Sequence, residues 1–182
     1  PEVTGVAPFI QQEVIVTARR MFGPPRHRAV ITWGVEPDLV DTVQPLRRYL
    51  LPDPSVLASL NEAGVPRVIL GADLANGLYT AIGDTVVLTA PNGELDLDEL
   101  EAESRRFVVS GFFETGMFEF DSRFVYVDIH AAREFFGYGP GGASMIGVKV
   151  GDLMRADRVA DRLVDELGSE FYATDWMALN AN

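Results

Sequence analysis

Cysteine is absent from the 182 residues, histidine occurs only twice, and no apolar run reaches the roughly 18–20 residues of a membrane span. Without cysteine there are no disulfides, no thiolate chemistry and no zinc ribbon, and a reducing and an oxidising compartment stay equally open. His27 lies between Arg26 and Arg28 in an expected turn, and His130 opens an expected helix. Both read as surface residues. No Gly-x-Ser-x-Gly elbow accompanies them, so a nucleophile–base pair has nothing to be built from. No His/Asp/Glu set has metal-ligand spacing, and the acid-rich stretch 94–103 lacks the glycine and register of a calcium loop. Gly139–Gly142 is broken by Pro140 and too far from a helix start to cradle phosphate. No cofactor is expected. A glycosidase-type carboxylate pair is the one catalytic class left open, since any two of 27 acids can meet in space.

Positive charge is also scarce, with 15 Lys and Arg against 27 acids and a net charge of −12. Such a surface repels phosphate backbones and anionic headgroups, so nucleic acid is not an expected partner. The composition, 47% apolar and 23% charged, is that of a globular chain with one full core or two small ones. Pro1-Glu2-Val3 is no signal peptide, and the chain reads as a mature or excised piece of something longer.

Strand signals fall at Val14–Arg20 and Arg28–Val35, joined by a turn around Gly23-Pro24-Pro25. Glu36-Pro37-Asp38 opens an expected helix, with Leu39, Val40, Val43, Leu46 and Leu50 on its apolar face. Leu51–Pro54, with two prolines, is the first linker signal. A strand over Val68–Leu70, a short helix over Gly71–Tyr79 and a strand over Thr85–Ala90 follow. Asp128 is placed to cap a helix over His130–Phe136, which Gly137 closes. Tyr138–Gly142 is the second linker signal, before a strand at Ser144–Val150. Asp152 then caps a helix to Leu167, whose stripe of Ala156, Val159, Ala160, Leu163, Val164 and Leu167 is expected to be fully buried. A last strand is expected at Phe171–Thr174, with Trp176 as a docking anchor. The class is α+β. The linkers suggest residues 1–52 plus 144–182 as a mixed α/β subdomain and 53–143 as an inserted, strand-rich one.

Two stretches stand out as candidate contact sites. In 94–103, six acids surround Leu95, Leu97 and Leu100. This is either a solvated connector or an arm whose leucines touch a partner inside an acidic rim. Arg106–Ser122 reads as a strand, a tight Glu-Thr-Gly-Met connection and the approach to a second strand at Arg123–Ile129. That connection carries Met117, Phe118 and Phe120, where an ordinary hairpin would be polar. Either these side chains seal the domain or they are offered to a partner.

The segment Phe107-Val-Val-Ser-Gly-Phe-Phe-Glu-Thr-Gly-Met-Phe-Glu-Phe-Asp-Ser122 resembles the central segment of the lipoprotein-releasing permeases, the LolC/LolE type of ABC transporter subunit. Val3-Thr-Gly-Val-Ala-Pro8, Ile69-Leu-Gly-Ala-Asp-Leu-Ala75 and Ile82-Gly-Asp-Thr-Val-Val-Leu88 match in the same order. Gly147-Val-Lys-Val-Gly-Asp152 with Ala156, and Asp175-Trp176 with Asn180, complete the set, so the resemblance spans nearly the whole chain. It implies a MacB-like periplasmic domain between two membrane helices, with a porter-like subdomain and an inserted strand-rich one. It also implies an edge strand upstream of Pro1, and no catalysis. The implied partners are lipoprotein cargo, a periplasmic lipoprotein chaperone, and, through the full-length protein, a cytoplasmic ATPase and a second permease subunit. In the chaperone-recruiting subunit a protruding hook lies where this chain has 91–105, here an acidic, leucine-dotted run. MacB-like efflux and FtsX-like signalling permeases are the nearest alternative, and a stand-alone periplasmic enzyme is a more distant one.

Overall fold

The computed structural model describes residues 2–19, 23–90 and 103–175. The strands are β1 (Val3–Ala18), β2 (Arg26–Val35), β3 (Leu50–Leu51), β4 (Arg67–Gly71), β5 (Thr85–Ala90), β6 (Glu103–Phe113), β7 (Phe124–Asp128) and β8 (Met145–Val150). The helices are α1 (Val40–Val43), α2 (Val56–Ser59), α3 (Ala72–Leu78), α4 (Phe118–Arg123), α5 (Ile129–Phe136) and α6 (Ala156–Leu167).

Strand β1 organises the rest. Its Phe9–Ala18 stretch pairs antiparallel with β2, while Ile15–Ala18 also pairs with β5 and Val3–Phe9 with β8. Because Ile15–Ala18 has partners on both edges, the path β2-β7-β4-β6-β5 returns to β1 and closes a ring. Closure leaves these six strands without an open edge along their shared length. Inward residues alternate as a two-residue period demands: Val14 and Val16, Val68 and Leu70, Val86 and Leu88, Phe107 and Val109, Val125 and Val127. Helices α3 and α5 add Leu74, Leu78, Ile129 and Phe135 to the same core. A second core lies on the other face of β4 and β7, where Ile69 and Tyr126 meet Phe9, Val40, Leu46, Leu57 and Phe113.

Several expectations hold in detail. The Asp128 carboxylate accepts from His130 N at 2.8 Å and Ala131 N at 3.3 Å, and Gly137 ends α5 in the left-handed region. β2, β5 and β8 lie where their β-branched runs put them, while β1 overlaps the expected Val14–Arg20 strand but starts at Val3 and ends at Ala18.

Others are corrected. The expected helix after Glu36 is two short pieces, α1 and a 3₁₀ turn at Leu46–Tyr49, because Pro45 has no N–H to continue the ladder. α2 was not foreseen; its Leu57 is fully buried against the second core. β6 and β7 are not paired as neighbours: β4 lies between them, parallel to β6 and antiparallel to β7. Separately from these corrections, strands from 1–52 and from 53–143 contribute to one ring and to both cores.

The carboxyl-terminal helix also differs. Asp152 caps a 3₁₀ turn at Leu153–Arg155, and α6 follows from Ala156. Only Ala156 and Val159 of the stripe are buried; Ala160, Leu163 and Val164 are half-buried and Leu167 is 56% exposed. No strand forms at Phe171–Thr174, where Tyr172 is 90% exposed. Periodicity specified a face without specifying a cover for it. An ion pair of Arg162 with Glu2 ties α6 to the start of β1, and that hydrogen bond holds the Glu2 carboxyl below its ordinary range. Leu163→Ala is accordingly expected to cost under about 1.5 kcal/mol in denaturant titration, against the roughly 2–5 of a fully buried leucine. A loss of 3 kcal/mol or more would mean the stripe is covered after all.

Candidate functional site

The connection between β6 and β7 is a built corner rather than a loose loop. Thr115 N–H donates to both carboxylate oxygens of Asp121, at 2.9 and 3.1 Å, and Thr115 Oγ1 donates to Oδ1 at 2.8 Å. Gly116 N–H donates to Oδ2 at 2.9 Å, and Met117 N–H donates to Thr115 Oγ1 at 3.1 Å. Gly116 has φ +82°, which explains a glycine there. The Met117 carbonyl then accepts from Phe120 N and Asp121 N, starting α4. Asp121 itself is 2% exposed. Burying a carboxylate is costly unless such donors surround it.

The corner is also held from behind. A Cβ built on Gly71, the last residue of β4, would lie 2.6 Å from the carbonyl carbon of Asp121. Only glycine lets α4 sit this close to the start of α3. Tyr126 lies nearby in the second core; its burial, and then the Asp121 charge, push its phenol well above the usual range.

This frame sorts the three apolar candidates. Phe118 is 73% exposed and Met117 54%, so both point outward. Phe120 is half-buried, its ring 5.1 Å from Phe124, which in turn lies 5.9 Å from Trp33. Phe120 therefore belongs to packing and the other two to surface. Leu95, Leu97 and Leu100 lie outside the described residues, as does Trp176. Asp121 and Gly71 are the residues that sequence reasoning missed.

Chemistry-bearing groups elsewhere are dispersed. His27 is exposed, with Nδ1 2.8 Å from Thr17 Oγ1, and His130 is exposed on α5. Among the described residues no group of three or more His, Cys, Asp or Glu could hold a metal ion, and no helix is long and apolar enough to cross a membrane.

The profile of the MacB-like periplasmic core domain matches residues 1–166. The chain belongs to that family. Two curated relatives named "Lipoprotein-releasing system transmembrane protein LolC", from Xylella fastidiosa strains 9a5c and Temecula1 / ATCC 700964, are 28% and 27% identical over 182 residues. The match takes in 100% of this chain and 41% of each relative, so the chain spans about two fifths of their length. Among solved structures, the periplasmic region of MacB from Actinobacillus actinomycetemcomitans aligns with TM-score 0.51 and 16% identity, covering 91% of this chain and 68% of that one. At that identity the likeness speaks to fold alone, and it agrees with the mixed α/β architecture. The matching family is described as a periplasmic core domain.

Proposed function

We propose that the chain is the periplasmic part of an inner-membrane ABC permease that releases lipoproteins and hands them to a periplasmic chaperone. It would act by contact and by transmitting nucleotide-driven movement, without bond chemistry of its own. What carries this reading is similarity along the whole chain to relatives whose name states lipoprotein release. The ATPase and a second permease subunit would join through the full-length protein. Within the chain, Met117 and Phe118 are the contact residues the geometry favours, because they are large, apolar and outward on a fixed corner. The leucines Leu95, Leu97 and Leu100 stay proposed as a second contact on the acidic arm.

The test uses the full-length permease in cells depleted of their own lipoprotein-releasing system. The unaltered protein is expected to restore lipoprotein release. Met117→Ser with Phe118→Ser is expected to slow release while shifting the folding midpoint by no more than about 0.5 kcal/mol, as for other exposed positions. Leu95, Leu97 and Leu100 all changed to Ser should also slow release. If the unaltered permease restores no release but does support export of another substrate, the lipoprotein reading fails and the MacB-like efflux alternative replaces it.

A further inference from the structure

We propose that Met117 and Phe118 form a preorganised docking knob whose occupant is a protein surface with an apolar cleft rimmed by Lys and Arg. This rests on the reading of the chain as a partner-contacting permease domain and adds the chemistry of the partner.

The first support is order. The three residues 115–117 are bonded, directly or through the Thr115 hydroxyl, to one buried carboxylate, and Gly71 seats that carboxylate's backbone against β4. A side chain carried on a backbone already fixed in place loses less freedom on binding than one on a loose loop. The second is exposure beside a packed neighbour. Phe120, on the same helix, turns back onto Phe124, yet Met117 and Phe118 stay outward. Exposed large apolar groups on a rigid frame have the form of an interface anchor.

The third is charge. Glu114 and Glu119 flank the pair and are exposed, and Asp73 is exposed in the first turn of α3, which packs against α4. Two cations lie at the edge of this border: Arg123 at the far end of α4, and the exposed Arg48, which lies over Tyr49, whose carbonyl accepts from Glu114 N. The chain as a whole carries −12. An apolar centre inside an acidic border calls for an apolar cleft inside a basic border. The same border disfavours an anionic membrane surface.

The experiment places a photo-crosslinking benzoylphenylalanine at position 118 of the full-length permease in cells. One dominant protein adduct is expected, mapping by mass spectrometry to apolar residues flanked by Lys or Arg. Glu114→Lys combined with Glu119→Lys is expected to lower its yield about tenfold, with the proteolysis pattern of the permease unchanged. An adduct on a neutral or acidic surface, on lipid, or on a second copy of this chain overturns the proposal. So does the absence of any adduct, or a yield indifferent to the charge change. Lipoprotein release measured in the same cells separates the two readings. A basic-rimmed adduct with release unaffected by Phe118→Ser keeps the knob and removes it from lipoprotein release. Impaired release with an acidic or lipid adduct does the reverse.

Discussion

Phe107→Ala is expected to lose about 3–5 kcal/mol, the cost of emptying a fully buried aromatic site. Phe107 sits inside the ring with its ring centroid 6.0 Å from that of Phe135, so truncation opens a cavity bounded by β6 and α5 together. The loss should come from a single transition. Trp33 lies on β2, in the first of the two segments that the linkers suggested, while Phe107 lies in the second. Both segments contribute strands to one closed path and side chains to both cores, so neither has a core of its own to hold when the other opens. In a Trp176→Phe background, Trp33 fluorescence and far-ultraviolet circular dichroism should therefore shift together in denaturant. Two separated transitions, with Trp33 reporting only one, would establish residues 1–52 plus 144–182 and 53–143 as independently stable parts.

Signals that act within a few residues were legible in the sequence. Asp128 and Gly137 bracket α5 because capping and left-handed closure are settled by the capping residue itself. β5 and β8 were legible for a similar reason, since a β-branched run between turn residues needs no distant information. The order of strands was not. Nothing in 103–128 tells that β4, some 40 residues earlier, lies between β6 and β7. α6 shows another limit: its stripe fixes which face is apolar, while its cover depends on what lies opposite, and in the described residues the second half has little. At the candidate site the apolar residues were visible and the sorting among them was not. Exposure of Phe118 and burial of Phe120 follow from the Asp121 carboxylate, which fixes where α4 begins. A linear reading offers nothing to set Asp121 apart from Glu119 two residues earlier.

Asp121→Ala is expected to cost about 2–4 kcal/mol, because several hydrogen bonds to one buried carboxyl group disappear together. Part of the loss is recovered by water, since Gly116 is exposed and its N–H can be rehydrated. Asp121→Asn should lose about half as much: its amide oxygen still accepts from one donor, while its NH₂ faces another. Gly71→Ala attacks the same corner from the other side. Its methyl would meet backbone rather than a yielding side chain, so α4 must move, at a cost of about 1–3 kcal/mol. If both substitutions act by dislodging α4, they are not independent. The double variant should fall short of the sum of the single losses by about 0.5–3 kcal/mol, the coupling of residues that share one contact. Phe118 should report the same event through proteolytic cleavage next to it, faster in either single variant and no faster in the double. Additive losses with cleavage unchanged would mean the carboxylate and the glycine stabilise separate features, and the corner would no longer be one unit.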